Sequence, residues 1–282
     1  MISIIIPAHN EEAVIARGLR AILTGAEAGE LEVIVACNGC TDRTAAIARG
    51  FGPPVQVLEI PAPSKIAALN EADAVAAGFP RFYVDADVVL DLASVRRVAA
   101  VLDSGAVRFA TPTLHINLSQ TTWPVRAFYR VWTALPYNRE AGQVGTGVYA
   151  LSRTGRERFQ RFPEVLNDDG FVRFLFTPRE RATVPPALSR VNPPRSLAAL
   201  LRAKSRVRAG QAQLRRLYPD RPASDRHAAE PTWRWLLRHP GLWWALPVYC
   251  TVNLWSRHRA ARTRDLRTPD WSRDDSRSWA RG

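Results

Sequence analysis

Four short apolar runs alternate with helical patterns over the first hundred residues, and no other feature limits the fold as strongly. Residues 2–7, 31–36, 55–60 and 81–84 are rich in β-branched, aliphatic or aromatic side chains, as strands of a buried sheet are. Between them, Glu11 to Leu23 carries Ile15, Leu19 and Ile22 at helical spacing, and Asp42 to Arg49 and Ser64 to Ala77 also read as helices. Asp91 to Leu102 then sets Leu92, Val95, Val98 and Leu102 on one helical face. Strand and helix in this order predict an α/β fold, a doubly wound and mostly parallel sheet whose ligands collect at the C-terminal ends of the strands.

Those ends are where the polar residues fall. His9-Asn10-Glu11 follows the first strand, Asn38 to Asp42 the second, and Asp85-Ala86-Asp87 the fourth, so three loops converge on one crevice. Further on, residues 107–112 read as a strand, Thr122 to Leu135 as a helix with an early proline, and Gly145-Thr146-Gly147-Val148-Tyr149-Ala150 as a strand opened by glycines. Residues 197–217 form a basic amphipathic helix, Pro219 to Pro231 a linker, and Arg257 to Gly282 a polar, Arg-rich, poorly packed tail.

With 282 residues and 46% apolar content the chain fills a sizeable core, so wholesale disorder is excluded. Its net charge of +13 is unevenly divided. Residues 1–120 carry 9 basic and 13 acidic side chains, a net −4, whereas residues 121–282 carry 30 and 13, a net +17. Nucleic acid, an anionic membrane face and a diphosphate substrate all suit such a field. Cys37, Cys40 and Cys250 are too few for a disulfide framework, and Cys37-Asn38-Gly39-Cys40 lacks a second pair to complete a zinc site, so a reduced, cytoplasmic setting is expected. The N-terminus shows no basic leader followed by a long apolar region, and the longest apolar stretch, the 15 residues from Gly241 to Trp255, falls short of the roughly 20 that span a bilayer.

Asp85 and Asp87 place two carboxylates at i and i+2 where a buried strand leaves the sheet, so both point toward one side of the loop. Hard oxygen ligands at that spacing suit Mg²⁺ or Mn²⁺ bridging two phosphates, although an acidic pair after a strand also serves as a solvated turn or helix cap. Trp233, Trp235, Trp243, Trp244 and Trp255 gather beside Arg234, Arg238, Arg257 and Arg259. They fit either a helix lying in a membrane interface or a hairpin buried against the catalytic domain.

The chain resembles the family-two glycosyltransferases in four motifs of the family's order and spacing: residues 3–12 (Ser3-Ile4-Ile5-Ile6-Pro7-Ala8-His9-Asn10-Glu11-Glu12), Asn38 to Thr44, Lys65 to Asn70, and Asp85-Ala86-Asp87. The resemblance covers roughly residues 1–210 and implies the nucleotide-diphospho-sugar fold of GT-A type, with a Mg²⁺- or Mn²⁺-dependent transfer of sugar from a nucleotide-diphospho-sugar donor to an acceptor hydroxyl. By position it implies that Pro7, His9, Glu11, Asn38 and Asp42 line the nucleotide pocket, Glu11 near the ribose and Asp42 near the base. Lys65 and Asp85 join the donor site, and Asp87 with Asp85 holds the metal. For Glu11 and Asp42, helix capping is the alternative that the residues themselves leave open.

Asn167-Asp168-Asp169 resembles the family's acidic pair, with Asp168 in place of the more usual Glu and Asp169 at the position of the general base. Gly145, Thr146 and Gly147 are expected against the acceptor or the transferred sugar, because a glycine lets backbone approach closely. Of the Gln-x-x-Arg-Trp motif of processive members only Arg206 is matched, Ala203 and Val207 standing at the other positions. A non-processive, inverting enzyme is therefore expected, with Arg206 near the leaving diphosphate. The acceptor is a lipid, a saccharide or a small molecule.

A nucleotidyltransferase on a related fold is disfavoured because Pro7-Ala8-His9-Asn10 stands where that class carries a glycine-rich loop. An RNA-binding module is disfavoured for want of aromatic strand motifs. The expected organisation is a donor-binding half over 1–110, an acceptor-binding half of the same catalytic domain over 111–218, and a helical, basic, Trp- and Arg-rich extension over 219–282. The expected location is cytoplasmic, peripheral at the inner face of an anionic membrane.

Overall fold

The computed structural model describes residues 1–136, 145–219 and 232–262. The chain runs β1 (Ile2–Ala8), α1 (Ile15–Leu23), β2 (Leu31–Asn38), α2 (Thr44–Arg49), β3 (Val55–Ile60), α3 (Lys65–Val75), β4 (Arg81–Val84), β5 (Val89–Leu90) and α4 (Leu92–Asp103). It continues through β6 (Phe109–Ile116), α5 (Trp123–Ala134), β7 (Val148–Leu151), α6 (Arg153–Arg156), α7 (Asp168–Phe174) and β8 (Arg181–Val191). Three further helices end it, α8 (Leu197–Leu217), α9 (Thr232–Leu237) and α10 (Leu246–Arg262).

The strands form one sheet in the order β3-β2-β1-β4-β7-β6-β8-β5. Parallel pairing joins β1 to β2 and β4, β2 to β3, and β6 to β8, while β7 runs antiparallel to β4 and β6, and β5 to β8. The alternation of side chains along β1 explains why its sequence is apolar throughout. Ile4 and Ile6 pack with Leu19, Ile22, Val95 and Val98 of α1 and α4 on one face, and Ile5 packs with Leu69 and Ala72 of α3 on the other.

Two segments depart from the sequence expectation. β8 is the longest strand, yet it carries Pro185 and Pro186, which donate no ladder hydrogen bond and mask it in the sequence. The register steps from Pro112 opposite Val184 to Thr113 opposite Leu188, so the prolines loop out as a bulge and pairing resumes. The expected polar tail does not begin at Arg257: α10 continues to Arg262, and residues 263–282 lie outside the described residues. The expected linker also lies outside them from residue 220 to 231.

Beyond the sheet, α5, α8 and α10 pack on one another around Val125, Phe128, Leu200 and Val252, with Tyr249 stacked on Phe128 at 5.4 Å. Helix α10 is thus tied to α5 and α8 through its inner face.

A buried polar cluster pins the far end of β4. Asp73 accepts from Arg81 Nη1 at 2.8 Å, from Arg156 Nε at 2.7 Å and from Tyr83 OH at 2.5 Å. Burial works against the Asp73 charge, but the bonds from Arg156, Tyr83 and Arg81 outweigh it and hold the carboxyl below the usual range. Asp73→Ala leaves two enclosed guanidinium groups without their anion, and we expect a loss of about 3–5 kcal/mol in urea unfolding. Because the folded pKa lies below the unfolded one, this contribution is full at neutral pH. It is lost only as pH falls from about 4 through the depressed value, so the native and Asp73→Ala proteins should converge in stability at strongly acid pH.

Candidate active site

The turn after β4 explains how its carboxylates are presented. Asp85 N–H donates to Gly147 O at 2.8 Å and Val88 N–H to Asp85 O at 3.0 Å, closing a four-residue turn. Ala86 and Val88 are buried while Asp85 and Asp87 are partly exposed, so the apolar residues enter the core and the acids face the crevice. Gly147 makes this approach possible. Its φ is +69°, and a Cβ there would meet Val88 Cγ2 at 2.4 Å.

Asp168 and Asp169 open α7, where Asn167 caps the helix by accepting from Gly170 N–H. Asp168 is 4% exposed and fully engaged, its Oδ1 taking a bond from Lys65 Nζ at 2.9 Å and its Oδ2 one from Tyr149 OH at 3.2 Å. Lys65, the first residue of α3, also reaches Asp85 Oδ1 at 2.8 Å. Burial alone would discharge this lysine, but the Asp168 and Asp85 carboxylates raise its pKa and keep it an ammonium.

Asp169 accepts from Gly145 N–H at 2.7 Å through Oδ2 and from Gly170 N–H at 2.7 Å through Oδ1. Its pKa is pushed up to about 6 by burial and by the neighbouring Asp168 charge, against the opposing pull of Lys65 and the Gly145 amide. A carboxylate so placed is ionised at neutral pH yet more basic than an ordinary Asp.

These groups share one cavity of about 670 Å³, lined at this end by Pro7, Lys65, Asp85, Asp87, Asp168 and Asp169 with Gly145, Gly147 and Arg206. The structure therefore brings together residues from β1, α3, the β4 turn, the loop before β7, α7 and α8. Five expected residues do not line that cavity: Thr146, and with it His9, Glu11, Asn38 and Asp42. The last four lace the β1–α1 and β2–α2 loops beside it. His9 Nδ1 lies 2.6 Å from Asn38 O, and the buried Asn38 donates its amide to Ala8 O at 2.9 Å. Asp42 accepts from Thr44 N–H at 2.9 Å and from Glu12 N–H at 3.1 Å, a turn bond just ahead of α2, whose N-cap residue is Arg43. Asn10, at φ +54°, accepts from Thr41 N–H at 2.7 Å. Thr146 is turned inward at 1% exposure, its hydroxyl bonded to Val148 O at 2.6 Å.

Cys37 and Cys40 belong to this lacing, Cys40 Sγ lying 3.4 Å from both Ala8 O and Asn10 N. Sequence reasoning missed Tyr149, which it read only as part of a strand, and Lys204, an α8 residue that also lines the cavity. A second lysine in a chain whose other 37 basic residues are arginines was the available signal.

As a donor set, Asp85 and Asp87 supply two hard oxygen ligands, and among the described residues no group of three or more His, Cys, Asp or Glu forms a complete protein cage. That fits a cation of the Mg²⁺ or Mn²⁺ kind, which takes one or two carboxylates and fills its remaining positions with phosphate oxygens and water.

Comparison with solved structures finds the same architecture. A mannosyltransferase from Pyrobaculum calidifontis, solved with GDP-Man and Mn²⁺, aligns with a TM-score of 0.63 at 22% identity, over 89% of this chain and 73% of its own. Glucosyl-3-phosphoglycerate synthase from Mycobacterium tuberculosis, solved with Mn²⁺, UDP and glucosyl-3-phosphoglycerate, aligns at 0.52 and 22% identity, over 76% of this chain and 78% of its own. Residues 1–349 of TarS from S. aureus, solved with UDP-GlcNAc, align at 0.51 and 15% identity, over 68% of this chain and 58% of that one. At these identities the likeness is one of fold, the GT-A type. No curated protein sequence matches the chain. The sequence model of glycosyl transferase family 2 matches residues 3–161, more than half the chain. The chain belongs to glycosyl transferase family 2.

Proposed function

We propose that this glycosyltransferase uses a divalent cation and a nucleotide-diphospho-sugar, and that it transfers the sugar with inversion, once per encounter, to an acceptor hydroxyl. The observation that carries this reading is Asp169, a carboxylate of raised basicity held by Gly145 N–H at 2.7 Å in the same cavity as Asp85 and Asp87. The acceptor oxygen attacks the anomeric carbon while its proton passes to Asp169. The bond to the diphosphate breaks with its electron pair leaving on the nucleoside diphosphate.

Asp87, assisted by Asp85, would hold Mg²⁺ or Mn²⁺, which when bound neutralises charge on the diphosphate. Asp168, with both oxygens engaged, fixes the start of α7 and Lys65 as a positioning residue. Pro7, His9, Glu11, Asn38 and Asp42 form the nucleoside end, the last two by shaping the loops. Gly145, Thr146 and Gly147 form the backbone wall on the acceptor side. Arg206 offers a cation to the leaving diphosphate.

The exposed surface of the extension supports peripheral membrane association. Pro247, Cys250, Thr251, Leu254 and Trp255 follow one another at helical spacing along the outer side of α10, and all are exposed. Trp243 and Trp244 continue the stripe at its N-terminal end, half or more exposed. Among the described residues no helix is long and apolar enough to cross a membrane. An apolar stripe with arginines beside it suits the interface of an anionic bilayer.

Three outcomes are expected. In calorimetry, GDP or UDP should bind tightly only with Mg²⁺ or Mn²⁺ present, because Asp85 and Asp87 otherwise repel the diphosphate. Equal affinity in EDTA for the native protein and Asp87→Ala would remove the cation from the site.

Asp169→Asn should lower turnover by ~10²-fold or more with donor affinity nearly unchanged, since the amide keeps the shape but takes no proton. Because the base acts deprotonated, native turnover should fall as pH drops through about 6. Retention of anomeric configuration in the product would defeat the assignment.

Finally, the native chain should float with vesicles containing phosphatidylglycerol, and the triple variant Trp244→Ser, Leu254→Ser, Trp255→Ser should not, with nucleotide binding intact. A native protein that stays at the bottom of the gradient would make the stripe a surface of some other use.

A further inference from the structure

The cavity has two ends of different character. Every Asp or Glu that lines it, Asp85, Asp87, Asp168 and Asp169, belongs to the donor end. The opposite end is walled by β6, α5, α8 and α10, where Leu114, Ile116, Phe128, Trp132 and Tyr249 present apolar surface. Two cations stand on this apolar wall. Lys204 Nζ lies over the rings of Phe128, Tyr129 and Trp132 at 5.1, 5.1 and 4.7 Å, and Arg208 Nη2 donates to Asn253 Oδ1 of α10 at 2.5 Å.

An aromatic nest already filled by a lysine of the same chain does not serve as a receptor for a cationic ligand. It fixes an ammonium at the edge of an apolar chamber, partly shielded from water, where an anion is bound more strongly than at an open surface. A neutral sugar acceptor would set hydroxyls against Leu114, Ile116 and Phe128, an unfavourable burial of polar groups.

We propose that this chamber is the acceptor site and that the acceptor is an anionic amphiphile. Its phosphate or carboxylate group is held by Lys204 and Arg208, its apolar part lies on α5 and α10, and its hydroxyl is presented to Asp169. The inference rests on the transferase reading above and adds the chemical class of the acceptor to it. The transfer itself is unchanged: the acceptor oxygen gains the sugar, Asp169 takes the proton, and the diphosphate leaves with the bonding electrons. Such an acceptor comes from a bilayer, as a lipid with a hydroxylated acidic headgroup, or from solution, as a free amphiphilic acid.

The test uses the full chain with Mn²⁺ and whichever of GDP or UDP binds more tightly. Octyl phosphate, kept below its micelle concentration, is titrated by calorimetry against inorganic phosphate and octyl glucoside as controls. Octyl phosphate should bind about tenfold or more tightly than either control, because only it satisfies both the cations and the apolar wall. Lys204→Gln and Ile116→Asp should each weaken it about tenfold while nucleotide binding persists.

Nucleotide binding reports folding of both variants and tests the transferase reading separately. If nucleotide fails to bind the native protein, that reading falls, and the octyl phosphate titration still decides the chamber. Octyl phosphate no tighter than the controls, or unaffected by both substitutions, overturns the proposal. Displacement of octyl phosphate by phosphatidylglycerol vesicles identifies the bilayer as the source, and its persistence identifies a soluble acid.

Discussion

Lys65 Nζ stands 2.8 Å from Asp85 Oδ1 and 2.9 Å from Asp168 Oδ1, and these two contacts join three elements that are far apart in sequence. Lys65 begins α3, Asp85 follows the end of β4 and Asp168 begins α7. An ammonium taken out of water costs several kcal/mol, and one carboxylate seldom offsets it; two carboxylates with hydrogen-bond geometry do so. The arrangement is stable only if all three elements arrive in register, so one point of charge balance sets the width of the crevice. Four carboxylates, Asp85, Asp87, Asp168 and Asp169, thus line the cavity together with Lys65, Arg173, Lys204, Arg206 and Arg208.

Much of this was legible in the sequence, and the reason differs by region. Strands β1 and β2 were visible because both of their faces are buried, which forces nearly continuous apolar runs, and the edge strand β3, with Gln56 and Glu59 exposed, was visible by Val55, Val57 and Ile60. Asp85 and Asp87 were visible because i and i+2 is a local relation. The partnership of Lys65 with Asp168 spans 103 residues, and no periodicity records it. Asp42 shows the limit of a single residue's chemistry: a carboxylate after a strand fits a ligand contact and a helix cap equally, and the bonds it makes, to Thr44 and Glu12 in a turn before the Arg43 N-cap, have no signature in the sequence. β8 was hidden by its prolines, since propensity is read residue by residue whereas a bulge is a property of the pair of strands.

Helix α8 was predicted at its observed bounds, but its meaning was not, because a basic amphipathic helix looks the same whether its cations face water or a cavity. In the fold it is a seam. Leu200 packs against α5 and α10, Leu214 joins the core under α7, and Lys204 and Arg206 border the cavity between them. The uneven charge of the chain maps onto the cavity only in part: the first half supplies Asp85 and Asp87, while the second supplies Lys204, Arg206 and Arg208 but also Asp168 and Asp169.

The loop before β7 meets the acidic end of the cavity through main-chain atoms, Gly147 O accepting from Asp85 N–H and Gly145 N–H donating to the Asp169 carboxylate. Mutational tolerance along this loop should therefore follow backbone physics more than side-chain chemistry. At position 147 every side chain is refused by volume, because Val88 occupies the place of a Cβ. At position 145 no described residue lies within 4 Å of a Cβ, and the torsion, φ +81°, is what resists. Residues that enter the left-handed region at small cost, Asn and Asp foremost, are the ones that a drifting sequence can admit there. Two glycines one residue apart are thus open to quite different evolutionary replacement, one closed by packing and the other merely taxed by conformation.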